Sequence, residues 1–279
     1  MAAVREKLPD YVPASPEEIE QLPKTPRELR KLFRSGEWTR PTTGLCIGYT
    51  NVNVAIVPKS LAYDFLVFCQ RNPRPCPLLE VLEPGDPIVK DLAPDMDMRT
   101  DMIKYRVFKN GELVEEPADL GKYWRDDLVT CLFGCSTTFE GALLDAGIRP
   151  TWREGRRHGA FDTNIPCKPA GRLSGPMVVS MRPIPAHQVD TVVKVTSRFP
   201  MHHGAPIHIG DPAAIGIRDI NKPDYGGSSE MRPGEVPVFW ACGVTPQSVA
   251  RASKPEIMIT HASGYMFITD IPSAQQAVS

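Results

Sequence analysis

Proline constrains this chain more than any other residue, because it fixes one backbone angle and cannot donate a backbone hydrogen bond. The sequence has 29 prolines among 279 residues, roughly twice the average usage of about 5%. Such a level is typical of disordered chains, but apolar segments recur along most of the length and predict a folded core. The early prolines predict a segment that lies over the surface; they are Pro9, Pro13, Pro16 and Pro23. The later ones predict stiff junctions between strands and helices; examples are Pro183, Pro206, Pro212, Pro237 and Pro246.

Length and charge exclude several classes of protein. The chain is long enough for one large domain or two modest ones. Its 32 basic and 33 acidic residues leave a net charge of −1, so no overall field attracts nucleic acid or an anionic membrane. No apolar run reaches the roughly 18–20 residues of a membrane span, and residues 1–8 lack the apolar core of a secretory signal. Seven irregularly spaced cysteines without a Cys-x-x-Cys pair indicate reduced thiols in an intracellular protein. We expect a cytoplasmic location, with the mitochondrion as the alternative.

The second half of the chain alternates between strand and helix patterns. Strands are predicted over residues 177–181, 207–209, 236–242, 257–260 and 266–269, with helices over 185–199 and after Asp211 and Thr245. This order predicts an α/β fold, a mixed sheet with flanking helices. If those strands are parallel, the helix starts at Asp211 and Thr245 lie at the carboxyl edge of the sheet, where such folds bind ligands.

The first half predicts a helix over residues 25–35, a strand or a bent strand pair over 44–57, a helix over 59–70 and a strand over 78–82. Asn110-Gly111 predicts the turn of a β-hairpin over residues 104–115. A long helix is predicted over residues 126–146, interrupted by Gly134. We expect a smaller α+β lobe containing the hairpin, residues 85–172, inserted into a main α/β lobe of residues 1–84 and 173–279.

Two clusters of chemically active residues lie beside predicted helix starts. His203, His208 and Asp211 indicate a catalytic, hydrogen-bonding or metal-binding group. Cys242 ends a predicted strand just before a helix, which favours either a reactive thiol or a carboxylate cradle. The backbone N–H groups of that cradle belong to Val244, Thr245 and Gln247.

Two further sites are candidates for acid–base chemistry. Glu140 stands four residues after Ser136, and on a helix the two share a face. His261 ends a predicted strand and is a plausible base near neutral pH. Phosphate-loop, dinucleotide, zinc-protease and nucleophile-elbow motifs do not occur in the sequence.

Seven stretches together resemble the D-glutamate cyclase family over residues 25–272. They are residues 62–73, 124–129, 163–166, 175–183, 203–206, 210–212 and 236–247. The resemblance implies a hydro-lyase that removes water from D-glutamate to give 5-oxo-D-proline, with no redox or group-transfer cofactor and no metal. The chain has Asp162 where many members have a basic residue, which favours an altered small acidic or polar substrate.

The resemblance also implies roles for particular residues. His203 and His261 are the expected proton carriers, with Cys135 and Glu140 as rivals. The expected substrate-binding residues are Asn51, Arg71, Asn164, Arg182, His208, Asp211, Trp240, Cys242, Gly243, Thr245 and Tyr265. The expected partner is a small molecule, with neither nucleic acid nor membrane and with a homodimer as one expectation. The alternatives are another cofactor-free isomerase, cyclase or hydrolase reaction in the same pocket, or a non-catalytic small-molecule-binding protein.

Overall fold

A computed structural model describes residues 14–157 and 159–279. The predictions for residues 1–8, Pro9 and Pro13 lie outside the described residues. The helices are α1 (Pro16–Gln21), α2 (Pro26–Ser35), α3 (Lys59–Arg71), α4 (Glu140–Asp145), α5 (Val189–Ser197) and α6 (Thr245–Ser253). Short 3-10 helices cover Ser136–Phe139, Thr151–Glu154, Ala186–Gln188, Pro200–His202, Pro212–Ile215 and Ser273–Gln276.

The strands form two main sheets and one short pair. They are β1 (Tyr49–Pro58), β2 (Leu78–Val81), β3 (Ile88–Val89), β4 (Met96–Asp97), β5 (Tyr105–Lys109), β6 (Glu112–Glu115), β7 (Leu128–Gly134), β8 (Gly159–Pro166), β9 (Pro176–Pro185), β10 (His208–Ile209), β11 (Tyr225–Gly226), β12 (Glu235–Ala241), β13 (Met258–His261) and β14 (Phe267–Pro272). The seven-stranded large sheet has the order β2-β7-β1-β13-β5-β6, with β14 also paired to β1. The five-stranded small sheet has the order β10-β12-β9-β8-β11, and β3 pairs with β4.

The α/β class is confirmed, with helices packed around antiparallel sheets. Every strand pair of the described residues is antiparallel. The helix starts at Asp211 and Thr245 therefore do not share the carboxyl edge of a parallel sheet. Asp211 precedes only the 3-10 helix Pro212–Ile215, whereas Thr245 begins α6.

Several local predictions are confirmed because local chemistry fixes them. Helix α2 follows Thr25 and ends at Gly36, which adopts φ 74°. Helix α3 covers the predicted segment and ends before Asn72. Asn110 and Gly111 have φ values of 52° and 88° and join β5 to β6, as a two-residue hairpin turn requires.

The predicted long helix over residues 126–146 is wrong up to Gly134, whereas Ser136–Phe139 and Glu140–Asp145 are helical. Residues Leu128–Gly134 form β7, a strand buried along its whole length between β1 and β2. A strand buried on both faces is a continuous apolar run, which periodicity cannot distinguish from a buried helix. Gly134 ends this strand, and the position requires glycine because a Cβ there would lie 1.8 Å from the Met201 carbonyl oxygen.

Residues 85–172 supply strands to both sheets. The hairpin strand β5 pairs with β13, and β7 pairs with β1 in the same large sheet. Strand β8 instead pairs with β9 in the small sheet. The division of the chain into a main lobe and an inserted lobe stays a prediction.

Helix α6 links the two sheets. The Thr245 hydroxyl accepts a bond from the Val178 amide of β9 in the small sheet, at 3.1 Å. The Gln247 side chain donates to the His261 carbonyl of β13 in the large sheet, at 2.9 Å. Both side chains are fully buried, so α6 fixes the end of one sheet against the other. Among residues 14–157 and 159–279, no helix is long and apolar enough to cross a membrane.

Candidate functional site

A cavity of about 60 Å³ lies where the two sheets meet. This volume is several times the roughly 10–15 Å³ that a cavity needs to hold one water. Both sheets and the loops after β7, β12 and β13 contribute to its wall. The lining residues are Thr43, Asn53, Cys135, Ser136, Thr137, Gly159, Ala160, Ser180, Arg182, Cys242, Val244, His261, Ser263, Gly264 and Met266.

Arg182 is the charged side chain of this wall, and it is only 4% exposed. Its guanidinium lies 5.3 Å from the ring centres of both Phe139 and Trp240, which hold it by cation–π attraction. Its Nη2 atom donates to Ser136 Oγ at 3.0 Å and to Glu140 Oε1 at 3.2 Å. Its Nε and Nη1 atoms are buried without a hydrogen-bond partner in the described part of the chain. A buried donor without a partner is costly, so these atoms are suited to an anion in the cavity.

Glu140 lies behind Arg182, on α4. One carboxylate oxygen accepts from Arg182 and the other accepts from the Trp152 indole N–H at 2.9 Å. Burial raises the pKa of Glu140, while Arg182 and Trp152 act in the opposite direction. The predicted acid–base residue therefore has both oxygens engaged by other side chains.

Ser180 and Asn53 add polar groups to this wall, and sequence reasoning missed both as ligand contacts. Ser180 Oγ is buried without a hydrogen-bond partner among the described residues. It stands two residues before Arg182 on β9, so the two share a face of the strand. Asn53 stands two residues after Asn51 on β1 and donates to the Gly134 carbonyl at 2.7 Å. The period-2 alternation was the available signal in both cases.

His261 brings an imidazole to the cavity at the end of β13. Its Nδ1 atom lies 3.3 Å from the Val54 amide nitrogen and 3.4 Å from the Val54 carbonyl oxygen, and the tautomer decides which bond forms. Burial lowers the pKa of His261 to about 4. The ring is therefore neutral near pH 7 and has a lone pair for a proton.

Cys135 and Cys242 line the same cavity. Cys135 follows β7 of the large sheet, whereas Cys242 follows β12 of the small sheet. Burial raises the pKa of Cys135 and raises that of Cys242 to about 12. Both groups are therefore protonated thiols near neutral pH, which disfavours the reactive thiolate predicted for Cys242.

The loop between β12 and α6 fits closely against β1. A Cβ on Gly243 would lie 2.0 Å from Asn53 Nδ2, so this position requires glycine. The Thr245 and Gln247 amides donate to the Cys242 and Val244 carbonyls at 3.1 and 2.9 Å. Two of the three N–H groups of the predicted carboxylate cradle are thus already bonded within the chain.

His203 lies in the interior beside Arg74, not in the cavity wall. Its Nδ1 atom bonds the Arg74 carbonyl oxygen at 2.7 Å, and its backbone has φ 74°. Burial lowers its pKa to about 3. The ring is held as a neutral, 1% exposed group.

Four other predicted contacts lie away from the cavity. Arg71 donates to the Pro169 carbonyl oxygen at the surface, and Asn164 is exposed on β8. His208 Nε2 bonds the Asp211 carbonyl oxygen at 2.7 Å, and the Asp211 carboxylate accepts from the Ala213 amide. The His208 and Asp211 bonds are local turn and cap contacts.

The remaining predicted contacts lie next to the wall. Trp240 packs against Arg182. The Asn51 side chain donates to the Tyr49 carbonyl at 3.2 Å, and the Asn51 backbone carbonyl accepts from the Cys135 amide. Tyr265 is buried between the lining residues Gly264 and Met266, with the Lys104 ammonium 5.4 Å from its ring centre.

Within residues 14–157 and 159–279, no three His, Cys, Asp or Glu side chains are grouped so that they could hold a metal ion. Arg182 is the cation of the cavity wall.

The sequence profile of the D-glutamate cyclase family matches residues 129–270. This range includes the lining residues Cys135, Arg182, Cys242 and His261. The chain belongs to this family.

Curated relatives extend the similarity over nearly the whole chain. A "Putative hydro-lyase" of Bacillus pumilus is 57% identical over 91% of this chain and 97% of its own length. Relatives of the same name from Stutzerimonas stutzeri and Bacillus subtilis are 55% and 53% identical over 91% of this chain, and 96% and 99% of their own lengths. A solved nitrogen repressor-like protein from Methanococcus jannaschii has a TM-score of 0.39 and 11% identity, over 88% of this chain and 94% of its own.

Proposed function

We propose that this protein is a hydro-lyase that removes water from a small carboxylic acid, and that D-glutamate is converted to 5-oxo-D-proline. The observation that supports this most is Arg182, a buried guanidinium whose Nε and Nη1 nitrogens have no hydrogen-bond partner among the described residues. A substrate carboxylate would satisfy those donors by charge-assisted hydrogen bonds. Membership of the D-glutamate cyclase family supports the choice of reaction.

The reaction needs proton movement and no electron transfer. The amine nitrogen of D-glutamate forms a bond to the side-chain carboxyl carbon, and one C–O bond of that carboxyl breaks. An ammonium and a carboxylate become an amide and water, so two protons pass from nitrogen to the departing oxygen. A proton carrier and a stabilised oxyanion are therefore sufficient, and we propose that no cofactor takes part.

The lining residues divide naturally between these tasks. Arg182 would hold the free carboxylate, and His261, whose ring is neutral near pH 7, would accept a proton from the amine. A bound carboxylate adds negative charge to the cavity and favours the imidazolium. The Ser136 and Ser180 hydroxyls would donate to the developing oxyanion.

The test is incubation with D-glutamate, followed by chiral detection of 5-oxoproline. We expect Arg182→Gln to lower kcat/KM at least about 100-fold, because a buried charged hydrogen bond is lost. Arg182→Lys should also be impaired, since an ammonium lacks the planar fork of the guanidinium. Arg71→Gln, at an exposed arginine, is the control and should stay within about twofold.

Full activity of Arg182→Gln would contradict the anchor. Turnover of another hydroxy or amino acid, but not of D-glutamate, would contradict the proposed substrate and leave the proposed hydro-lyase class in place. Binding without turnover over a broad panel would favour a non-catalytic binding protein.

We also propose an intracellular, cytoplasmic location and a small-molecule substrate. All seven cysteines are free in the structure, including neighbours such as Cys69 and Cys76, which fits a reducing compartment. Fractionation of the source cells with an antibody would test the location.

A further inference from the structure

Trp152, Glu140 and Arg182 form a continuous line of hydrogen bonds that ends at the cavity. Trp152 lies on the 3-10 helix Thr151–Glu154, Glu140 on α4 and Arg182 on β9. The indole N–H donates to Glu140 Oε2 at 2.9 Å, and Glu140 Oε1 accepts from Arg182 at 3.2 Å. All three residues are at most 4% exposed. Water is therefore largely excluded from these bonds, and each bond is stronger than it would be at the surface.

The donors of Arg182 are divided between two tasks. Nη2 has two hydrogens, and Ser136 and Glu140 take one each. Nε and Nη1 keep hydrogens that are unpartnered among the described residues. The Glu140 carboxylate thus fixes one end of the guanidinium and leaves the other donors for the cavity.

Trp152 limits the number of hydrogen bonds that Glu140 can form with the Arg182 guanidinium. Its N–H occupies Oε2, so only Oε1 is turned towards Arg182. Without that N–H, the second oxygen would be free to compete with a ligand for Nε or Nη1. Bidentate pairing with arginine is the preferred geometry of a free carboxylate.

We propose that Glu140 and Trp152 are positioning residues, which set the orientation of Arg182 and the share of its charge that is open to a substrate carboxylate. This rests on the proposed function, in which Arg182 is the carboxylate anchor. Glu140 restrains the anchor, and Trp152 restrains Glu140.

The two residues should affect ligand binding in opposite directions. Glu140→Gln removes the charge that competes with the ligand, so Arg182 attracts an anion more strongly. The same change loosens the guanidinium, because the amide has an NH2 donor in place of one of the two oxygens that accept from Trp152 and Arg182. Ground-state binding should tighten while catalysis slows. Trp152→Phe should instead weaken binding, since the freed second oxygen of Glu140 can then bond an Arg182 donor that the ligand would use.

The experiment measures binding of glutarate by calorimetry and turnover of D-glutamate by kinetics, both on the full chain. Glutarate has the two carboxylates of the substrate but no amine, so it cannot cyclise. We expect Glu140→Gln to lower the Kd of glutarate about three- to tenfold and kcat about tenfold or more. We expect Trp152→Phe to raise the Kd about threefold.

Two control variants make the same chemical changes elsewhere. Glu235→Gln breaks the ion pair with Arg156, in which both side chains are 8% exposed. Trp38→Phe removes an indole N–H that has no partner in the described residues. Both controls should leave the Kd of glutarate and kcat within about twofold. A shorter acid, Glu140→Asp, keeps the charge and should leave the Kd within about twofold while kcat falls, which covers the case in which Glu140→Gln fails to fold.

Several outcomes would overturn the proposal. Weaker glutarate binding in folded Glu140→Gln, or unchanged Kd and kcat in Glu140→Gln and Trp152→Phe, would contradict it. Absence of Arg182-dependent glutarate binding in the wild type would overturn both this inference and the anchor. If glutarate binds through Arg182 but D-glutamate is not turned over, the proposed reaction is wrong. The positioning roles are then still tested by the glutarate Kd, which should fall in Glu140→Gln and rise in Trp152→Phe.

Discussion

At the scale of single residues, burial determines what each histidine can do. His203 and His261 are both interior and both have lowered pKa values. Only His261 of the two lines the cavity, whereas His203 bonds the backbone of Arg74. We therefore expect different consequences when each ring is removed.

His261 should govern the acid side of the activity profile. Because burial lowers its pKa to about 4, the neutral base persists as pH falls and is lost only near pH 4. We expect kcat/KM for D-glutamate to be limited by His261 below about pH 5 in the free enzyme. His261→Asn should reduce activity about 100-fold or more at pH 7. Profiles of kcat/KM against pH for the wild type and His261→Asn would test this, and an unchanged profile in the variant would refute His261 as the base.

His203 should matter for stability in acid. Its pKa is about 3 in the folded chain, against an ordinary value of 6.5, so the unfolded chain binds the proton first. The free energy of unfolding should therefore fall as pH decreases from about 6.5 towards 3, by about 1.4 kcal/mol per pH unit for each such histidine. His203→Asn, which tolerates the positive φ, should make this pH dependence shallower by one proton. Urea unfolding at pH 7 and pH 5 would measure it, and activity at pH 7 should persist.

At the scale of elements, close approach between strands and loops places the site. Strand β7 delivers Cys135 and Ser136 to the cavity, and β9 delivers Ser180 and Arg182. The loop after β12 reaches β1 only because Gly243 lacks a side chain.

Gly243→Ala should disturb the cavity. The added Cβ would lie 2.0 Å from Asn53 Nδ2, so either the loop or Asn53 must move. We expect a loss of stability of about 1–3 kcal/mol and at least about tenfold lower kcat/KM. Gly141→Ala is the control, because Gly141 lies within α4 and an added Cβ would meet atoms of Ile47 and Gly48 only at 3.6 Å or more. Helix propensity predicts that this control is neutral or more stable, and equal effects of the two variants would contradict the argument.

At the scale of the whole molecule, the cavity lies where two sheets meet, and α6 is hydrogen-bonded to both of them. Neither sheet holds the proposed set by itself: His261 and Asn53 belong to the large sheet, and Ser180 and Arg182 to the small one. A ligand held by both sheets is therefore expected to stabilise their junction.

Ligand binding should raise the thermal stability of the whole chain. Glutarate at about 100 times its Kd is expected to add about 2.7 kcal/mol to the free energy of unfolding. Tm should rise with glutarate concentration in the wild type and remain constant in Arg182→Gln. Calorimetric scans would measure both, and an equal rise in the variant would place the ligand elsewhere.

The sequence predicted the elements that depend on local chemistry. Helix caps such as Gly36 and turns such as Asn110-Gly111 depend only on neighbouring residues. For this reason α2, α3 and the hairpin could be predicted from the sequence. The segment of residues 126–146 could not, since burial on both faces erases the alternation that identifies a strand.

The sequence by itself determined the α/β class, the family and the types of polar residue that a site would use. Tertiary structure decided which of those residues meet: Arg182 and His261 line one cavity, whereas Arg71, His203 and His208 are bonded elsewhere. The physical reason is that a side chain's role depends on its burial and on which partners already occupy its donors and acceptors. Those partners come from distant segments, as Trp152 and Glu140 do for Arg182, and no local pattern records them.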